Sequence, residues 1–200
     1  MPDISDLQEI MHDWESICGC LNEEIPKNAP PPLGKPVQLT HCVDTNLMHD
    51  VTTGRSAVVC LHFANATPID WHSKKMATVE TATCRAEFVA ARTCIEQIID
   101  LCTTFHYLGV PLTKKSFMFG DNKSVVKSLT HFHAKLHKRH NILSSHCVRE
   151  AIASKFVAFH FINVKFNPAD VLSKHWGHGA VWPLLRPLLF WSRDTLKNDK

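Results

Sequence analysis

Residues 116–129 read SFMFGDNKSVVKSL, and the fold turns on how that stretch is parsed. The apolar run up to Gly120 has the length and composition of a strand, and a segment of helical character starts at Asn122. Asp121 therefore falls at the carboxyl end of a strand, where open α/β sheets place their chemistry. Asp is also a common helix N-cap, so this residue alone leaves a structural and a functional reading open.

Upstream, residues 37–43 read as a strand that delivers Asp44, with a polar turn over residues 45–55. Residues 56–63 and 67–74 form two more strands joined by the tight link Asn65-Ala66, so the first three strands make an antiparallel meander. From Thr81 the period changes. Ala86, Val89, Ala90, Cys94, Ile95, Ile98, Leu101, Cys102 and Phe105 recur at three-and-four spacing, which predicts a long amphipathic helix to about Leu108, stopped by Gly109 and Pro111. Glu87 sits in its first two turns. After residues 116–129 come a basic, His-rich link over residues 131–140, a helix over 141–154, a fifth strand over 156–164, and a short helix opened by Asn167, Pro168 and Asp170. This order predicts a mixed five-stranded α/β sheet, with strands 1–3 antiparallel and strands 4 and 5 parallel, flanked by helices.

Composition sets the outer limits. The chain has 200 residues, 44% hydrophobic and 20% charged, which suits one globular domain rather than a disordered chain. No apolar run approaches the roughly 20 residues of a membrane span, and the acidic start lacks signal-peptide pattern. The expectation is an intracellular protein, cytoplasmic or nuclear and not secreted, with no membrane partner. The eight cysteines lie mostly inside apolar segments and read as reduced, buried thiols. Residues 1–36 form a leader ending in a Pro-rich connector, residues 37–176 the α/β domain, and residues 177–200 an apolar tail broken by Pro183 and Pro187.

In this topology the first and fourth strands can lie side by side. Asp44 and Asp121 become neighbours, with Glu87 and Asp170 over them. Each has a plain structural alternative: Asp44 as a turn residue, Glu87 as helix surface, Asp170 as a cap. Four carboxylates together, however, repel unless a cation lies between them. Mg²⁺ suits hard oxygen ligands, and two such ions about 4 Å apart activate water and steady a leaving phosphodiester oxygen.

Seven stretches in order carry a resemblance: CVDTN at 42–46, TGRS at 53–56, PIDWHSKK at 68–75, TVETATCRAEFVAA at 78–91, GDNKSVV at 120–126, HCVRE at 146–150 and NPADVLSK at 167–174. Over residues 37–176 the chain resembles the ribonuclease H domain of copia-type LTR retrotransposon polyproteins. The resemblance implies a ribonuclease H-like fold that cleaves the RNA strand of RNA/DNA hybrids during reverse transcription, with two Mg²⁺ ions for which Mn²⁺ can substitute. By position, Asp44, Glu87, Asp121 and Asp170 match the family's catalytic, metal-binding carboxylates. Asp44 and Asp121 are expected to serve both ions, Glu87 the ion on the leaving-group side and Asp170 the ion that activates water. The leader resembles the join to a polymerase domain, a further implied partner.

Two positions depart from the pattern. Arg85 stands where copia-type chains often carry a second Glu, and residues 164–169 lack the His that cellular ribonucleases H place before the last carboxylate. A catalytically silent remnant that keeps the fold and binds nucleic acid or a protein is the alternative in a different class. An integrase-like nuclease would need another carboxylate pattern.

Lys74, Lys75, Lys135, Lys138 and Arg139 are candidate phosphate contacts, with solvated surface as the alternative. Asn122 and Ser124 are placed to reach the minor groove and 2′-hydroxyls, unless Asn122 only caps its helix. The 14 histidines raise zinc as a competitor, through His133, His137 and His140 with His146 or Cys147, but no paired-Cys motif accompanies them. A nucleophilic Cys147 beside His146 is disfavoured because adjacent helical residues face different ways.

Overall fold

A computed structural model describes residues 27–189, apart from 81, 114 and 132–138. Five strands, β1 (Leu39–Asp50), β2 (Arg55–Ala64), β3 (Thr67–Lys75), β4 (Ser116–Gly120) and β5 (Val157–Phe161), form one sheet in the order β3-β2-β1-β4-β5. The β1–β2 and β2–β3 pairs are antiparallel, and the β1–β4 and β4–β5 pairs are parallel. The expected meander and parallel pair are both present. The helices are α1 (Thr83–Tyr107), α2 (Lys123–Thr130), α3 (Arg139–Ala153), α4 (Asp170–Ser173) and α5 (His178–Leu189), with a 3₁₀ turn over Val164–Phe166.

Both faces of the sheet are covered. On one, Leu39, Val43, Val58, Cys60, Met118, Val157 and Phe159 pack against Ala86, Ala90, Cys94, Ile95 and Ile98 of α1 and against Val125, Leu129 and Val148 of α2 and α3. On the other, Cys42, Val59, Leu61, Phe63 and Phe119 meet Ile162 and Ala169, with Leu172 and Leu188 of α4 and α5 laid against them. Burial on both faces explains why β2 and β4 read as near-continuous apolar runs instead of alternating ones, and why β1 buries Thr40 and His41 along with Leu39, Cys42 and Val43. Each such Val, Leu, Ile, Phe or Met side chain contributes about 1.5–3 kcal/mol when fully removed from water.

Helix α1 ends where the sequence predicts. Gly109 takes φ +69°, its N–H donates to His106 O at 3.0 Å, and Val110 N–H donates to Phe105 O at 2.9 Å. The Pro-rich connector crosses this end. Leu33 N–H donates to Gly109 O at 2.6 Å, Val37 N–H donates to Pro111 O at 2.8 Å, and a Cβ at Gly109 would stand 3.2 Å from Pro31 O.

Three local expectations are corrected. Residues 45–50 belong to β1 and not to a turn: the strand continues through an irregularity between Asn46 and Asp50, with Met48 at φ 53°. The turn shrinks to residues 51–54, where Asp50 Oδ1 accepts from the N–H groups of Thr52 and Thr53 at 3.0 and 3.3 Å. β5 stops at Phe161, because Asn163 accepts from Lys165 N–H at 3.1 Å and starts the 3₁₀ turn. Helix α5 continues through Pro183 and Pro187, held by Leu188 against the second cluster. No helix among the described residues is long and apolar enough to cross a membrane.

Candidate metal centre

Parallel register sets the first two carboxylates. Val43 of β1 pairs with Gly120 of β4, so the next residue on each strand, Asp44 and Asp121, brings its carboxylate to the same end of the sheet centre. Glu87 reaches them from the second turn of α1. Ligand oxygens of Asp44, Glu87 and Asp121 all lie within 4.8 Å of one another. Asp44 and Glu87 are buried, at 4% and 6% exposure, and Asp121 is half-buried.

The surrounding groups hold this trio in place. Thr45 donates its hydroxyl to Glu87 Oε1 at 2.8 Å. Asn167, itself buried, donates from Nδ2 to Val43 O at 3.1 Å and accepts the Ala169 N–H at 3.2 Å, which fastens the segment before Asp170 onto β1. Asn46 Nδ2 donates to Ser173 O at 2.7 Å, fastening the segment after Asp170 to the same strand. None of these partners follows from periodicity. An Asn before Pro168 reads as a turn residue, and Thr45 and Asn46 read as loop.

Asp170 opens α4 and stands outside the trio. Its carboxylate is ion-paired with Lys174 one turn later, Ser173 Oγ lies 3.5 Å from its Oδ1, and Trp176 Nε1 donates to its backbone carbonyl at 3.3 Å. Its charge still reaches the others, raising the pKa of Asp44 and of Asp121. Lys174 is held protonated, first by its bond to Asp170.

Burial dominates the electrostatics. It pushes Asp44 up to about 6 against the pull of Ser173, and Glu87 up to about 8 against the pull of Thr45. Asp121 is raised for the same reason. Asp44 Oδ2 is buried without a hydrogen-bond partner. An orphaned carboxylate oxygen among crowded acids, with only oxygen donors, fits a hard divalent cation of the Mg²⁺ or Mn²⁺ class and does not fit a soft metal.

The expected substrate contacts divide. Asn122 accepts the Val125 N–H at 3.2 Å and so caps α2, while Ser124 is exposed in the first turn of that helix. Lys74 is exposed on the edge strand, and Lys75 is ion-paired to Asp50 Oδ2 at 2.9 Å. Lys135, Lys138, His133 and His137, and the side chains of Arg139 and His140, lie outside the described residues. Of the zinc grouping, His146 and Cys147 are described on α3, and the side chains of the rest lie outside the described residues. Among the described residues, Cys42, Cys60, Cys84, Cys94, Cys102 and Cys147 are reduced and in no disulfide.

No protein-family model matches the chain, and no curated protein sequence matches it. Among solved structures it is similar to ribonuclease H1 from the halophilic archaeon Halobacterium salinarum, at 15% identity and TM-score 0.50, over 68% of this chain and 94% of that one. It is also similar to the N-terminal ribonuclease H domain of a Mycobacterium tuberculosis protein, at 14% identity and TM-score 0.50, over 68% and 91%. LC11-RNase H1, from compost and solved in complex with an RNA/DNA hybrid, matches at 13% identity and TM-score 0.51, over 68% and 93%. Likeness at such low identity speaks to architecture, and with the sheet order above it identifies the fold of this chain as ribonuclease H-like.

Proposed function

We propose that this chain is a metal-dependent endoribonuclease that hydrolyses the RNA strand of RNA/DNA hybrids, from the ribonuclease H region of a copia-type retrotransposon polyprotein. The observation that carries the reading is the carboxylate trio, with ligand atoms within 4.8 Å of one another and a buried Asp44 Oδ2 that has no hydrogen-bond partner. The fold supports it, as does the ordered set of seven sequence stretches.

In this reading Asp44, Glu87 and Asp121 hold divalent cations, Mg²⁺ or Mn²⁺, with Asp170 joining them on the water side. When bound, such ions lower the pKa of an attacking water and neutralise charge on the leaving oxygen. The protein's own part is positional. Thr45 aims Glu87, Asn167 and Asn46 fix the chain on either side of Asp170, and Lys174 balances the Asp170 charge. Ser124 and Lys74 are the described candidates for contact with hybrid, with Asn122 on the same turn and Lys75, Lys138 and Arg139 as further basic contacts. The proposed setting is intracellular, alongside a polymerase domain of the same polyprotein.

Cleavage of a labelled RNA/DNA hybrid in Mg²⁺ or Mn²⁺ tests this directly, beside Asp121→Asn and beside duplex RNA and duplex DNA. The expected result is hybrid-specific cutting that needs metal and is lost in Asp121→Asn. A folded protein that binds hybrid and never cuts it would overturn the enzyme reading in favour of a silent remnant.

A further inference from the structure

The irregular stretch of β1, the strand that carries Asp44, holds a histidine that the sequence reading did not assign, linked through Asn46 to the segment after Asp170. His49 follows Asp44 by five residues on β1, and His175 follows Asp170 by five residues past α4. Their rings stack, with centroids 5.2 Å apart and planes inclined by 23°. His49 is half-buried and His175 exposed, so the pair stands at a rim and not in the core.

Asn46 fixes the chemistry of this rim. Its Nδ2 donates to Ser173 O at 2.7 Å, and a carbonyl can only accept, so the orientation of the amide is settled. The same Nδ2 lies 3.2 Å from His49 Nδ1. That contact is a hydrogen bond only if Nδ1 accepts, which puts the proton of the neutral ring on Nε2. His49 thus presents a preset Nε2–H donor. Nearby negative charge is already engaged: Asp50 pairs with Lys75 at 2.9 Å and accepts two backbone N–H groups, and Asp170 pairs with Lys174. A donor edge at the rim, with the neighbouring carboxylates of Asp50 and Asp170 each paired to a lysine, favours an anionic oxygen.

We propose that His49 Nε2–H contacts a backbone phosphate of the nucleic-acid strand entering the carboxylate site, with His175 as the positioning residue that holds the His49 ring by stacking. The ligand class is a phosphodiester backbone, and the inference rests on the nuclease reading above.

The test uses the full chain and a fluorescein-labelled RNA/DNA hybrid, with binding read by anisotropy without divalent metal. Phenylalanine keeps a stackable ring and removes the donor. His49→Phe is expected to weaken binding about tenfold, the scale of one hydrogen bond to a charged acceptor. His175→Phe is expected to bind within about twofold of the parent, and His175→Ala to fall between them. In the parent, the His49 ring ¹⁵N resonances, assigned by comparison with His49→Phe, should shift as hybrid is added, a change that a purely structural ring would not show. Parent-like binding by His49→Phe, or ring resonances unmoved by hybrid, would overturn the phosphate contact and leave the nuclease reading intact. A parent chain that binds no hybrid would overturn both.

Discussion

Thr45 Oγ1 lies 2.8 Å from Glu87 Oε1, tying the strand that carries Asp44 to the helix that carries Glu87. The two carboxylates come from separate elements, and this bond sets how they face one another. Thr45→Val keeps the shape and removes the donor. Loss of such an orienting partner costs about 10- to 100-fold in metal affinity or activity. Hybrid cleavage measured against Mg²⁺ concentration should show that loss as a raised metal requirement, while the far-ultraviolet circular dichroism stays that of the parent.

In the metal-free protein burial penalises the ionised forms of these acids, and the neighbouring carboxylates add to that strain. The folded-state pKa values of Asp44 and Glu87 stand at about 6 and about 8, above their ordinary 3.8 and 4.5. The sign follows: their contribution to stability is full below pH 4 and is lost as pH rises through those values. Asp44→Asn and Glu87→Gln should therefore each stabilise the metal-free protein at pH 8 by about 1–3 kcal/mol, or several degrees in Tm, while abolishing cleavage. Thermal melts in EDTA check this, and a lowered Tm in both variants would contradict it.

Added cation should reverse the strain. With Mg²⁺ or Mn²⁺ at about 100 times its Kd, mass action adds roughly 2.7 kcal/mol to the folded state. The parent should melt higher in Mg²⁺ than in EDTA, and Asp121→Asn should lose most of that gain. Equal shifts in both proteins would locate the ion elsewhere.

A second pH effect comes from the other end of the sheet. His41 and His62 are fully buried with their Nδ1 atoms 2.7 Å apart, and His62 Nε2 is 3.0 Å from Gln97 Oε1. Burial lowers His41 well below its ordinary value of 6.5, with the neighbouring His62 adding to it, and burial lowers His62 as well. Both rings are neutral when folded and take up protons on unfolding. Stability from this pair is complete above pH 6.5 and is lost as pH falls, by up to about 1.4 kcal/mol per pH unit for each ring. The carboxylates act in the opposite sense, so urea midpoints at pH 7.5 and 5.5 should be compared in an Asp44→Asn/Glu87→Gln background. An unchanged midpoint there would rule out the neutral pair.

Gly120 lets β4 pass beneath Phe159. A Cβ at this position would sit 3.0 Å from Phe159 Cζ, 3.1 Å from Cε2 and 3.5 Å from Val43 Cγ1. The Phe159 ring is buried and has little room to yield. Gly120→Ala should cost about 1–3 kcal/mol by overpacking. Because Asp121 is the next residue, the variant should also raise the Mg²⁺ needed for half-maximal cleavage.

Much of this was legible in the sequence for physical reasons. The period of α1, the apolar runs of β2 and β4 and the stop at Gly109 each follow from local rules, and with the shorter apolar signal of β1 they place Asp44, Glu87 and Asp121 at one end of the sheet. What was not legible depends on tertiary contact. The extension of β1 to Asp50 is written in polar residues that resemble a turn. Helix α5 runs through two prolines with Leu188 packed, partly buried, against the core cluster of distant strands. Lys174 on Asp170, Asn167 on Val43 and the facing of His41 with His62 are pairings across the chain that no local pattern announces.

The sheet order also fixes a timetable for a chain emerging from a ribosome. β1 meets its antiparallel neighbour β2 almost at once, but its other edge stays open until β4, and β4 must follow the whole of α1. Contacts so far apart in sequence form slowly, because long loops must close before they are rewarded. Until Ser116–Gly120 is available, Asp44 has no Asp121 beside it, and the acids do not crowd. Synthesis thus completes the acid cluster only after β1, β2 and α1, the elements that carry and bury two of its three acids, have been made.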